Sequence, residues 1–451
     1  MLAAPVPPIR GRQKIEVVRV LFGDRLRMLQ HLARAAGPVG SIRFGRRIIV
    51  LVNEPNLVHE VLVTQASAFH KGPALSIYSR PLLGNGLLTS EGDFHRRQRH
   101  LVSPAFAHRR VVSYASGMAQ AAERLQANWK SGETLDVAHE MTRLTLGIVG
   151  KTLFDADVLG QADDVGRALT VAMRYFVDVI RSPIRLPFAW IPPWKRDVKA
   201  ALARLDATIY GLIEARRASG QDTGDLLSML LLAHDEEKVG PAMDPKQVRD
   251  ETMTLFLAGH ETTANALAWA WYLLARHPDA YERVQAEADA ALAGRPPTFD
   301  DLARLPYTLQ VLKEAMRLYP PAYALARQAM EEVIIGGYRV TRGAIVLLSP
   351  YLLHHDPVLF PDPETFDPAR FTPDAESVRP RHAYLPFGGG PRVCIGAAFA
   401  LMEGHLLLAT LAQRVTFTLV EPGKVIEPEP LITLRPRGGV PVIVQRRAAA
   451  P

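Results

Sequence analysis

A mainly α-helical chain with small β-sheets is what this sequence predicts, and three observations carry the prediction. From about residue 105 to 290, apolar residues recur at helical spacing. Within that stretch, residues 251–276 read as one long helix. Its second half, ALAWAWYLLA, is apolar nearly all round and belongs in a core. Strand-type runs are few, at 40–52, 333–348 and 415–447. No Pro/Gly/Ser linker, internal repeat or low-complexity tract divides the 451 residues, so they read as a single domain, 1–451.

Each element has a local reason. GSIRFGRRIIVLV (40–52) sets strand-forming residues on both sides of a GRR turn, the pattern of a β-hairpin. Asn53-Glu54-Pro55 then opens a helix through Leu62. SPIRLPFAWIPPWKR (182–196) carries four prolines that cannot sit inside a helix. With Phe188, Trp190 and Trp194 it reads as an apolar loop, either tucked on the core or acting as a lid over an apolar site. AAFALMEGHLLLATLAQRV (397–415) returns to a strong helical pattern.

Composition excludes several classes. At 48% hydrophobic and 22% charged the chain is an ordinary globular one. The opening MLAAPVPPIRGRQ has no apolar run long enough for a signal peptide, and no later stretch holds ~20 apolar residues in a row. In the long helix His260 and Glu261 interrupt the run. No membrane span is expected, and the single cysteine suits a reducing, cytoplasmic setting. The net charge is +7, but Lys and Arg are spread along the chain, with neither zinc-finger spacing nor interleaved RNA-binding aromatics. The expectation is a monomer that binds no nucleic acid. Its basic surface is either simply solvated or meets an acidic protein partner.

The one cysteine, Cys394, stands in FGGGPRVCIG (387–396). A lone thiol cannot form an internal disulfide, so its candidate roles are nucleophile, metal ligand or inert core residue. The helix that follows would place it at an N-terminus, where unpaired N–H groups favour negative charge. Gly388, Gly389 and Gly390 let the backbone pass close to something flat and bulky, and Gly396 lets the helix approach the same object. Phe387 and Arg392 at their offsets argue against an inert thiol.

FGGGPRVCIG resembles the haem-binding loop of the cytochrome P-450 superfamily, matching at Phe387, Gly390, Arg392, Cys394 and Gly396, with Ala400 at the small residue that often follows. The resemblance implies haem b with Cys394 as axial thiolate of the iron, a donor that favours O–O cleavage. It also implies Phe387 packed on the haem and Arg392 on a haem propionate. Further motifs resemble the family in the same order, over about residues 35–447, with 1–34 left as an N-terminal extension. KEAMRLYPP (313–321) puts Glu314 and Arg317 at i,i+3 on one helix face. This looks like the family's Glu-x-x-Arg pair, and FDPARF (366–371) supplies its third member, Arg370. AGHETT (258–263) resembles the oxygen-pocket motif, with Ala258 and Gly259 leaving room for O₂ and Glu261 with Thr262 delivering protons. GDFHRRQRHLVSPAF (92–106) resembles the helix over the haem edge. His95 stands there where many members have Trp, and it joins Arg99 and, from ALARQA, Arg327 as propionate partners.

The implied fold is the triangular, mainly helical haem-thiolate fold. The implied reaction inserts one atom of O₂ into a lipophilic substrate such as a fatty acid or terpenoid. Electrons would come from NAD(P)H through a separate ferredoxin or flavodoxin and its reductase, docking near Arg96, Arg97 and Lys313. The implied substrate cavity is lined by Leu75, Ile77, Leu82, Leu87, Leu88, Leu255, Tyr323, Ala324, Leu325 and Ile432, with Arg80 at the mouth. Alternatives are a peroxygenase, an isomerase or dehydratase, a non-enzymatic haem sensor and a Cys-nucleophile hydrolase. The intact Glu261–Thr262 pair weighs against the first two, and the Phe387–Gly390–Arg392 spacing against the last.

Overall fold

The computed structural model describes residues 3–21, 24–45, 47–181, 191–192, 194–232 and 243–447. Helices dominate, and the described strands gather in four small sheets. Most of the segment 182–196, including Phe188 and Trp190, lies outside the described residues, whereas Trp194 is exposed.

The central helix runs Pro245–Arg276 and begins six residues before the sequence reading placed it. Asp244 caps it, accepting from the Lys246 N–H, and Pro245 fits the first turn because its missing N–H would be unpaired there anyway. It ends just before Pro278, which disfavours helical conformation at the residue ahead of it. Trp269, Trp271 and Tyr272 are sunk in the main core, as the all-apolar pattern requires. Trp269 stacks on Tyr319 with ring centroids 3.8 Å apart, and its Nε1 donates to Leu434 O at 3.1 Å. A buried indole thereby keeps a partner for its one polar atom. Among the described residues no helix is long and apolar enough to cross a membrane.

A five-stranded sheet lies beside the helical core, in the spatial order 39–44, 47–52, 345–348, 325–329, 69–71. The 40–52 hairpin forms as expected, antiparallel from Val39↔Val52 to Phe44↔Arg47. Two members were not foreseen as strands. Leu325–Ala329 reads LARQA and Phe69–Lys71 reads FHK, neither with a strand pattern of its own; pairing to 345–348 and to one another supplies it. Their register sets Lys71 directly opposite Arg327.

The described part of 1–34 is built into the body. Ala4–Pro5 pairs with Tyr338–Arg339, and Pro8 bridges Ser41. The helix Arg25–Ala36, capped by Asp24, buries Leu26, Leu29 and Leu32 in one cluster with Tyr323 and Tyr351.

Candidate active site

The cysteine loop is shaped by its glycines. Gly388 and Gly390 adopt φ of 70° and 68°, where side chains are strained. A Cβ on Gly390 would also lie 1.8 Å from Leu62 O, so only glycine lets the loop pass that turn. The loop closes on itself through Cys394 N–H to Phe387 O at 3.0 Å. Cys394 precedes the helix Ala397–Arg414, whose N-terminus has no side-chain cap and no acidic residue in its first turn. Its thiol is accessible, yet protein crowds it closely enough that burial pushes its pKa up, while the Gly396 N–H and Arg99 pull it down. The two facts agree if the accessible face looks into the protein rather than into bulk solvent.

Around this loop buried and half-buried nitrogen side chains, most of them cationic, converge from three elements. Lys71 and Arg327 oppose each other in the sheet, Arg392 comes from the cysteine loop, and Arg99 and His95 from the helix Gly92–Val102. Lys71 donates its ammonium to Leu87 O at 2.8 Å and Ser90 O at 2.7 Å. Burial, helped by Arg392 and Arg327 and opposed by Glu91, lowers its pKa to about 8. Arg327 is 8% exposed, and among the described residues its side chain makes one hydrogen bond, to Ala326 O. Burial and the neighbouring Arg392 bring its pKa down to about 10. His95 is held neutral, near pKa 4, by burial and by Lys71, and among the described residues neither of its ring nitrogens has a partner. Like charges placed opposite in a sheet are destabilising, and buried polar groups without partners cost about 1–3 kcal/mol each. The cluster therefore fits a dianion such as the two haem propionates, which would supply both the counter-charge and the acceptors.

Two arginines are engaged differently from the expectation. Arg392 donates Nη1 to Phe69 O at 2.9 Å and Nη2 to Glu91 at 2.5 Å, so its guanidinium ties the loop to the protein while each terminal nitrogen keeps a second N–H. Glu91 also accepts from the Lys71 backbone N–H, which makes it the counter-ion within the cluster. Arg99 reaches the loop backbone at Val393 O, 2.9 Å.

In the central helix Ala258 is exposed amid buried neighbours. Thr262 lies one turn on, and its hydroxyl donates to Ala258 O at 2.9 Å, leaving its lone pairs to accept. Gly259 departs from the expectation of room for O₂: a Cβ there would meet Val149 at 3.1 Å, so this glycine serves a close helix–helix crossing. Glu261 is tied down at one oxygen. Its Oε1 accepts from Thr433 Oγ1 at 2.8 Å, Arg435 Nη2 at 2.9 Å and Asn265 Nδ2 at 3.3 Å, and Oε2 takes none of these. Arg435 extends further, with Nη1 on Thr170 Oγ1 at 3.1 Å, and so joins the helix Ala162–Arg181 to Glu261. Asn265, four residues along the helix, was legible from spacing. Arg435 and Thr433 were not, since nothing local marks them.

Glu314 and Arg317 are both fully buried and form a two-pronged ion pair, 2.6 Å and 2.8 Å. Arg317 also donates to the carbonyls of His354, Pro363 and Thr365. Arg370 Nε lies 3.6 Å from Glu314, and its Nη2 donates to Asp362 O. The sequence reading missed His354. Its Nδ1 sits 3.2 Å from Arg317 O, and its Nε2 accepts from the Leu385 N–H at 2.9 Å, two residues before Phe387. That acceptor role fixes the neutral Nδ1–H tautomer, in keeping with a pKa that burial drives well below the usual value. His354 is thus the physical link from the Glu314–Arg317 pair to the cysteine loop.

The chain matches the cytochrome P450 family model over residues 15–441. The chain belongs to the cytochrome P450 family. Cyclooctatin synthase of Streptomyces melanosporofaciens is 41% identical to this P450 over 90% of the chain and 89% of the relative. Cyclooctat-9-en-7-ol 5-monooxygenase of the same organism is 38% identical over 86% and 84%. The crystal structure of the cytochrome P450DA heme domain superposes with a TM-score of 0.85, at 30% identity, over 100% of this chain and 99% of that one. The protein is a P450 monooxygenase with a haem cofactor.

Of the cavity residues expected for this P450, Leu75, Ile77, Leu88, Ala324, Leu325 and Ile432 keep accessible faces. Leu82, Leu87, Leu255 and Tyr323 are buried among core neighbours instead. Tyr323 has a polar reason, since its hydroxyl donates to Leu431 O at 2.8 Å. Arg80 is exposed. Of the three expected docking cations, Arg96 and Arg97 are exposed; Arg96 pairs with Asp93, and Arg97 lies over the Phe94 ring. Lys313 grips both oxygens of Glu376, at 2.8 and 2.9 Å, so it is a structural cation and not a docking residue.

Proposed function

We propose that this P450 hydroxylates or epoxidises a terpenoid, fatty acid or similar skeleton, using haem b bound through the Cys394 thiolate. The observation that carries this reading is an accessible thiol in a glycine-shaped loop beside buried cations short of carboxylates. When bound, the haem supplies the redox chemistry that activates O₂, with the thiolate as electron-rich axial donor. Substrate, O₂, two electrons and two protons give oxygenated product and one water.

The chain's residues divide the remaining work. Arg327, Arg99, His95 and Lys71 receive the propionates. Phe387, Gly388, Gly396 and Ala400 shape the surface against the macrocycle, and Arg392 with Glu91 fixes the loop. Glu314, Arg317, Arg370 and His354 hold that loop in register. Thr262 accepts and passes protons through its hydroxyl, and Glu261 relays them at Oε2 while Oε1 stays anchored. Ala258 keeps the helix surface open. The apolar faces of Leu75, Ile77, Leu88, Leu325 and Ile432 orient a greasy substrate and exclude water. The relative named for 5-monooxygenation of cyclooctat-9-en-7-ol supports a largely hydrocarbon skeleton. Electrons come from NAD(P)H through a ferredoxin or flavodoxin with its reductase, and the single cysteine suits a cytoplasmic setting for all of them.

The deciding experiment is the spectrum of the dithionite-reduced protein with carbon monoxide. A strongly red-shifted Soret band that disappears in Cys394→Ala supports the thiolate. A band at the position of His-ligated haem in the unmodified protein overturns it. Titration with terpenes and fatty acids should then give the spin-state shift of water leaving the iron; a shift seen only with polar anions sinks the substrate reading.

A further inference from the structure

Away from the active site, the N-terminal segment forms one wall of a groove of about 580 Å³. Its other walls are the start of the helix Gly11–Leu21, the hairpin strands 39–52 and the strand 338–340. The wall is tied to the hairpin by Ile9 N–H to Ser41 O at 2.7 Å and Ser41 N–H to Pro7 O at 2.8 Å. Its rim carries Arg10, Lys14, Arg43 and Arg339, all exposed. No Asp or Glu lines it, and no side chain among the described residues forms an ion pair with any of the four. The accessible apolar lining is Pro5, Val6, Pro8 and Ile48, with the buried Ile9, Val50 and Val340 beneath it.

We propose that this groove binds one molecule of a single-chain anionic amphiphile, its phosphate or carboxylate head held by the Arg10–Lys14–Arg43–Arg339 rim and its hydrocarbon chain lying on that lining. Four unpaired cations beside apolar surface match such a ligand in charge and in polarity, and guanidinium forks suit phosphate or carboxylate oxygens. The volume is that of a small-molecule site. A hydrocarbon chain would lie on the accessible faces of Val6 and Ile48 and along the exposed Pro5 and Pro8. None of its lining residues is among those assigned above to the substrate cavity.

The test uses dodecyl phosphate below its micelle concentration, titrated calorimetrically into the haem-loaded enzyme, with Soret spectra recorded in parallel. Saturable binding without a spin-state shift is expected, weakened at least about tenfold in Arg43→Ser/Arg339→Ser and again in Lys14→Glu. Dodecanol and inorganic phosphate should each bind far more weakly than the combined probe. Equal affinity in all variants, or a spin-state shift that tracks the binding isotherm, would place the probe in the substrate cavity and overturn the proposal. Equal binding of dodecanol would remove the role of the cations. Co-sedimentation of the enzyme with phosphatidylglycerol vesicles, lost in the Arg43/Arg339 variant, would make this a bilayer surface and equally refute the single-molecule site.

Discussion

Two regions of this P450 bury charge, and they balance it in opposite ways. At Glu314–Arg317 every guanidinium nitrogen has an acceptor, and the carboxylate also takes the Asp367 N–H at 2.9 Å. Around Lys71 and Arg327 the cations outnumber their acid, and among the described residues His95 has no partner at either nitrogen. The first is a closed network whose purpose is to hold the cysteine loop. The second is open, as a site built to receive an anion has to be. Buried charge alone does not tell scaffold from binding site; the presence or shortage of partners does.

Breaking the closed network should cost most. Arg317→Ala leaves Glu314 buried with only the Asp367 N–H at 2.9 Å and Arg370 at 3.6 Å, a loss of about 3–5 kcal/mol. The expected result is a fall in the urea midpoint and little haem-loaded protein. Arg370→Ala, on the rim of the same network, should be much milder.

A second test lies where the central helix meets the open cluster. Glu251 is fully buried, accepting from the Leu87 N–H at 2.8 Å and Gln247 at 2.9 Å, and burial raises its pKa to about 7. Its folded pKa exceeds the unfolded value, so the native state favours the protonated form. The associated stability is present at low pH and is lost as pH rises from about 4.5 through 7. Glu251→Gln should therefore gain on the unmodified protein across that window, by up to about 2–3 kcal/mol, and run parallel above it. Thermal unfolding against pH reads the difference, and contributions from His95, His355 and His405 cancel in it.

Arg435→Ala removes a charge-assisted hydrogen bond from Glu261, an interaction of about 1.5–3 kcal/mol. We expect turnover to fall about tenfold or more, with a larger solvent isotope effect and nearly unchanged substrate-induced spin shift. A change in substrate binding alone would assign Arg435 to the helix Ala162–Arg181.

The smallest and sharpest test is Arg327→Met. In a closed network such a change destabilises, but here it removes a cation short of partners. The haem-free protein should be unchanged or more stable by about 1 kcal/mol, while haem passes to a competing apoprotein faster. A clear loss of haem-free stability would show that the cluster is balanced after all.

Much of the site was legible because its signals are local. Glycines at fixed offsets from Cys394, an acid and a base at i,i+3 in 313–321, and AGHETT in an apolar helix each lie within one turn or loop. The same local view misjudged Gly259, whose open side Val149 fills, and Lys313, which Glu376 neutralises. It also could not see two strands with no strand pattern, 69–71 and 325–329, which exist because a neighbouring strand pairs with them.

By itself, then, the sequence determined the helical architecture, the thiol and its loop, and the identity of the buried pair that supports them. Periodicity and short spacing are properties of a few consecutive residues. Only the tertiary structure decided that Lys71 faces Arg327, that Arg435 grips Glu261 from 174 residues away, and that His354 joins Arg317 to the cysteine loop. These partners meet because helices and sheets pack to bury apolar surface, and the polar groups carried into contact must then find one another or be left waiting for a ligand.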